Sequence, residues 1–353
     1  MATRLSALLA TGSTTLPIAR TTNHFPHTVL VAFGSAWISS TGYDHPAYLA
    51  GQPWAKTAKI ERRALSDYCA TLEASITLGA YESPIGSGNY THGGSDLIDY
   101  GGFVWALDFG TLGGLVKIDP ANNAIAYKVI MPGGAYRGIT KFDNKLFVTD
   151  GIGHKLHVVD PALVVASNWT GSAWITNPVI ASVTLGANKP FRLDTSGGKV
   201  YVPCHDSNVV KVVDGSAPYS VLDTVPTTSG LNPCGVYRDP ATGIVHILNY
   251  GQFGIPGGDT ITLIDPATDT VIDTWPVAQN GGLHQMRRMG NELVVSLSAI
   301  HKLWFLNAST GAFIRERPTR LDPAFFDVDG SCVICPCALE NALEITTVLD
   351  TYN

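Results

Sequence analysis

Residues 198–214, GKVYVPCHDSNVVKVVD, read as two short strands joined by a polar turn. Val200, Val202, Val209, Val210, Val212 and Val213 carry the β-branched weight of strands. His205, Asp206, Ser207 and Asn208 interrupt the run where a hairpin must reverse. One hairpin of this size cannot bury its own apolar face, so it needs neighbours. The chain supplies them as diverged copies of one grammar: a short strand, a Gly or Asn turn, an apolar strand, a polar loop, and a strand ending in Asp and often Pro. GSAWI at 34–38 opens one copy, and GFVWA at 102–106 opens the next, which closes on VKIDP at 116–120. NKLFVTD at 144–150 closes on LHVVDP at 156–161, and GIVHI at 243–247 closes on ITLIDP at 261–266. NELVV at 291–295 with LWFLN at 303–307, and finally GSCVI at 330–334, continue the series.

These copies make about seven units, and 353 residues divided among them gives about 50 each, the size of a propeller blade. The reading is an all-β, seven-bladed β-propeller forming a single domain over residues 1–353. The reference copy, together with TLIDPATDTVIDTWPV at 262–277, resembles the YVTN-type repeat of seven-bladed β-propellers. The resemblance covers most of the chain at the level of the repeat. It implies the fold and leaves function open, because the repeat occurs in enzymes, binding proteins and surface proteins alike. The last unit, ending at LEITTVL (343–349), supplies three strands, and LSALLAT at 5–11 has the look of an outer strand without neighbours. Residues 1–12 are therefore expected to complete the last blade and remove the open edges of the array.

With 15% charged residues and a net charge of −6, the chain advertises no basic face, which disfavours nucleic acid as a partner. No run approaches the roughly 18 apolar residues of a membrane helix, so no membrane insertion is expected. The apolar patch at 5–10 is too short for a secretory h-region, and no signal peptide is expected. A mean hydropathy of +0.14 requires burial between blades and leaves an excess for an assembly interface. Six cysteines are too few for a disulfide framework in a chain of this length. Three of them, Cys332, Cys335 and Cys337, invite a metal reading, but on a strand Cys332 points away from the other two, so neither a metal nor another cofactor is expected.

Two insertions, 39–58 and 81–94, belong to the first unit. The first carries Tyr43, His45, Tyr48 and Trp54, aromatic groups of the kind that anchor contact surfaces. Trp169 and Trp174 flank a turn in the third unit, and residues 250–259 form a further loop. The starts of the first strands face the channel of a propeller, which gives a candidate ring of His27, Asp96, Arg137, Arg192, Cys234, His284 and Phe325. One carboxylate and two arginines do not make a calcium site, and the arginines are expected to pair with Asp108, Asp150, Asp194 or Asp206. Asp327-Val328-Asp329-Gly330 is expected to be a strand-to-strand turn. No G-x-S-x-G elbow, P-loop or dinucleotide fingerprint occurs. The expected function is non-enzymatic: an interaction or assembly module with protein partners, in a phage virion or tail, facing a host receptor or surface glycan. The rivals are a propeller hydrolase or lactonase working at the channel, and a carbohydrate-binding propeller using Trp54, Trp169 and Trp174.

Overall fold

The computed structural model describes residues 19–20, 25–43, 47, 49–50, 55–67, 69–80, 93–110, 113–131, 133–227, 230–252, 255–277, 281–330 and 332–347. Seven four-stranded antiparallel sheets follow one another as blades. From channel to rim, blade 1 is Pro26–Ala32, Ser35–Ser40, Thr57–Ala64 and Leu72–Ala80. Blade 2 is Gly94–Tyr100, Phe103–Asp108, Gly114–Asp119 and Ala124–Ile130. Blade 3 is Tyr136–Phe142, Lys145–Asp150, Lys155–Val159 and Val179–Thr184. Blade 4 is Asp194–Ser196, Lys199–Cys204, Val209–Asp214 and Val221–Pro226. Blade 5 is Pro233–Arg238, Val245–Gln252, Ile255–Asp265 and Thr270–Pro276. Blade 6 is Leu283–Met289, Glu292–Leu297, Lys302–Asn307 and Phe313–Pro318. Blade 7 is Asp327–Asp329, Cys332–Cys337 and Ala342–Thr347, with Ala19–Arg20 from the start of the chain as its outer strand.

The strand patterns follow from this stacking. Second strands are covered on both faces by neighbouring blades and do not alternate; Ser35–Ser40 and Cys332–Cys337 are buried at every position. Outer strands have one wet face and alternate, as Val179–Thr184 does. The buried side chains fall into seven clusters, each lying between two adjacent blades. The seam between blades 7 and 1 is built like the others, from Val29, Ala36, Ile38 and Cys69 against Cys332, Ile334, Leu343 and Ile345. Each fully buried Leu, Ile or Val contributes about 1.5–3 kcal/mol, so the seams, rather than the individual sheets, hold the disc together.

Closure by an N-terminal strand is present. The pairing runs Ala19↔Leu343 and Arg20↔Ala342, whereas residues 1–12 lie outside the described residues. A second clasp lies at the channel, where Val29 N donates to Phe325 O at 2.9 Å and Phe325 N to His27 O at 3.1 Å. Two expectations need correction. Of the expected turn at 327–330 only Gly330, with φ 58°, belongs to the reversal, and Asp327–Asp329 is a strand that pairs with Cys332–Ile334. Residues 250–259 are largely ladder: the second and third strands of blade 5 extend their pairing to Gln252↔Ile255. In blade 1, strands take the ends of the 39–58 insertion and leave 41–56 as the connection. Among the described residues no helix is long and apolar enough to cross a membrane.

Candidate functional site

The ring residues reach the channel by a device repeated from blade to blade. In blades 1, 2, 3, 5 and 6 the pairing of first and second strands slips near its start, between Pro26 and Thr28, Gly94 and Leu97, Tyr136 and Ile139, Pro233 and Gly235, and Leu283 and Met286. Such a bulge takes the extra residue out of the ladder and re-aims its side chain. His27, Asp96, Arg137, Cys234 and His284 sit in these bulges. The backbone donors displaced from the ladder find side chains: Gly138 N donates to Thr149 Oγ1 at 2.9 Å, Gln285 N to Ser296 Oγ at 3.1 Å, and Leu97 N to Asp96 Oδ1 at 2.9 Å.

Arg192 of blade 4 then crosses the ring. Its Nη2 lies 3.0 Å from Asp96 Oδ1 of blade 2 and donates to Thr28 Oγ1 of blade 1, and its guanidinium carbon sits 3.3 Å from the centroid of Phe325 in blade 7. Phe325 is flanked by His27 at 4.8 Å and His284 at 5.0 Å. The sequence-based partners for Arg192 are thus corrected. It takes the ring's own carboxylate because the bulge aims Asp96 at the same space. Asp108 instead binds Lys128, Asp150 accepts backbone amides of Gly134 and Gly153, Asp194 accepts from Arg238 N, and Asp206 holds Lys189.

Burial shapes the ionisation of this centre. It lowers Arg192 to about 10, against the opposing pull of Asp96. Burial and then the Arg192 charge hold His27 well below the usual imidazole value, and the same two causes bring His284 to about 4. Both rings are therefore neutral at pH 7. Cys234, pushed by burial up to about 12, is a thiol that donates to Leu283 O at 3.0 Å and not a ready nucleophile. Further contacts join these: the Arg137 guanidinium lies 5.2 Å from Phe191, which stacks at 5.3 Å on His205, and Tyr250 lies 5.2 Å from His284.

The remaining sequence candidates do not gather at this site. Tyr43 bridges Ala55 at the base of the long blade 1 connection and meets Phe25 edge-on at 5.7 Å; His45, Tyr48 and Trp54 lie outside the described residues, as do 81–92 of the second insertion. Trp169 and Trp174 pair across a short hairpin with centroids 4.9 Å apart. That segment leaves the end of blade 3 opposite the 41–56 connection and lies against Lys128 and Ile130 on the outer strand of blade 2, bounding a cleft of about 290 Å³ at the rim. Cys332 packs toward blade 1 and Cys335 toward blade 6, so the three clustered cysteines do not converge.

No family model and no curated protein matches the chain. Among solved structures, a chain of the crystal structure of the mitotic checkpoint complex is similar with a TM-score of 0.69 at 12% identity, over 96% of this chain and 92% of that one. The hydrazine synthase of Kuenenia stuttgartiensis is similar with a TM-score of 0.49 at 13% identity, over 70% of this chain and 93% of that one. As many as 1322 solved chains are similar, and a fold so widely shared selects no function. What the first of these likenesses and the blade order establish together is a seven-bladed β-propeller.

Proposed function

We propose that the chain is a non-enzymatic interaction module that holds protein partners within a larger assembly, in the setting of a phage particle's tail or host-facing component. The observation that carries the reading is where the added chain goes. The strand ends that bound the 41–56 connection, the 81–93 connection and the extended hairpin of blade 5 all lie on the face where the first strands begin, so the chain added to the repeat is attached at one face, at blades 1, 2 and 5. The rim adds apolar surface on outer strands, with Ile130 at 74%, Phe313 at 51% and Ile272 at 51% exposure. The channel argues against the hydrolase reading, since Arg192 and Phe325 occupy its centre and Asp96 is already held. A host glycan is the second reading, supported by the rim cleft bounded by Trp169 and Trp174, whose faces suit the C–H surface of a sugar.

The Tyr43↔Ala55 bridge brings the ends of the connection together. Residues 44–54 can therefore be replaced by a short Gly-Ser turn without straining blade 1. In extracts of its native setting the intact chain should elute in a complex well above its 37.5 kDa, and the replaced chain as a free monomer with a melting temperature within about 2 °C of the original. A monomeric intact chain, or a replaced chain still in the complex, would refute the proposal.

A further inference from the structure

On the face opposite the long connections, between blades 2 and 3, a cleft of about 370 Å³ is lined by Tyr100, Phe103, Trp105, Lys117, Lys145 and Asp160, among others. Its volume is in the range of small-molecule sites. Lys117, on the third strand of blade 2, is 7% exposed. Its Nζ lies 4.0 Å from the centroid of Phe103, 5.4 Å from Trp105 and 6.0 Å from Tyr127, and it donates to Val164 O at 2.9 Å. An ammonium has three donors, and the π faces offset part of its charge without accepting the other two as a carbonyl or carboxylate would. Those two find no acceptor among the described residues. Burial lowers the Lys117 pKa, which is the signature of a charge without a counter-ion. The carboxylate of the cleft, Asp160, is committed elsewhere: it lies 3.4 Å from Lys145 Nζ and accepts from Ala162 N at 3.0 Å. Two lysines against one aspartate leave the cleft one positive charge in excess, beside flat aromatic walls.

We propose that this cleft binds an organic monocarboxylate with a flat apolar body, its carboxylate accepting from Lys117 Nζ and its body lying against Tyr100 and Phe103. The site stands apart from the contact face and does not depend on that reading. A charge-assisted bond in an aromatic-walled cleft makes the acid group decisive, because a neutral analogue of the same shape leaves the ammonium without its anion.

The test is calorimetric titration of the full chain with indole-3-acetate and with its neutral amide. The acid should bind at least tenfold more tightly than the amide. Lys117→Met should weaken the acid at least tenfold and leave the weak binding of the amide unchanged. Ala162→Trp, made at an exposed position on the cleft's edge, should block both ligands at unchanged melting temperature, and it carries the test in folded protein should Lys117→Met not fold. Equal binding of acid and amide, no binding of the acid up to about 10 mM, or undiminished binding by the folded Ala162→Trp variant would each overturn the proposal and leave Lys117 as a strut between Phe103 and Val164.

Discussion

A guanidinium out of water is costly unless its partner is fixed in place, and Arg192 meets that condition through Asp96. Both side chains are about nine-tenths buried, and the carboxylate is held by more than the ion pair: Leu97 N donates to Oδ1 at 2.9 Å and Ile139 N to Oδ2 at 3.2 Å. The two halves of the pair are consequently unequal. Asp96→Asn leaves a buried cation facing an amide and should cost about 3–4 kcal/mol. Arg192→Met leaves a carboxylate that still accepts two backbone donors and should cost about half as much. The double variant should fall short of the sum by more than about 1 kcal/mol, as contacting residues do. Urea unfolding of the four proteins checks this, and additive losses would show that the pair contributes nothing as a pair. The ring candidates could be named from the sequence because each lies at or just before the start of a first strand. The Arg192–Asp96 pairing was not, since the bulge that aims Asp96 across the channel leaves no mark in composition.

One element that recurs from blade to blade is the turn between second and third strands. In the reference hairpin it ends on Asn208, left-handed at φ 52° and ψ 38°, and in blade 7 the same turn ends on Asn341 at φ 53° and ψ 42°. Each Oδ1 accepts from the backbone N that opens the next blade, Asn232 in one case and Phe25 in the other, both at 2.7 Å. In blades 3 and 6 the left-handed residue is a histidine, and His154 and His301 accept through Nδ1 from Lys189 N and Asp322 N. All four donors are themselves left-handed, so a pair of left-handed residues clamps one blade to the next at four seams. Asn suits the post because it tolerates this conformation and carries an acceptor close to the backbone. Asn208→Ala and Asn341→Ala should each cost about 2 kcal/mol, through backbone strain and an orphaned donor. The corresponding Gly variants should cost about 1 kcal/mol, through the donor alone and the entropy of glycine. Equal losses for Ala and Gly in chemical denaturation would remove strain from the account. The polar turn itself was plain in the sequence. Its partner was not, because the clamp joins residues 24 apart at one seam and 316 apart at the other, and only the closed ring places them together.

For the whole molecule, the repeat grammar carried the blade count, the order of strands and the N-terminal closure, whereas the faces on which the insertions stand follow from strand direction around the disc. The disc also sets a global property, its response to acid. Burial lowers the pKa of His27, His205, His246 and His284, the last to about 4, so each binds a proton less readily in the folded chain than in the unfolded one at about 6.5. Between those values the unfolded state holds more protons, and stability therefore rises with pH through the window; it is complete above about 6.5 and is lost as the pH falls toward 4. Asp194, raised by burial, works in the opposite direction, one group against four. Below that range the lowered carboxyl of Asp150 extends the loss. Unfolding free energy should accordingly fall by more than about 1.4 kcal/mol per pH unit between pH 6 and 5, the slope of more than one proton. The His27→Gln, His284→Gln double variant keeps polar groups of similar size in the channel and removes two of the four titrations, so its slope in the same window should be shallower by more than about one proton. Urea midpoints collected from pH 7 to 4 measure both slopes. A flat wild-type curve would mean that the channel histidines are hydrated enough to titrate normally, and an unchanged slope in the double variant would move the acid sensitivity to His205 and His246, outside the ring.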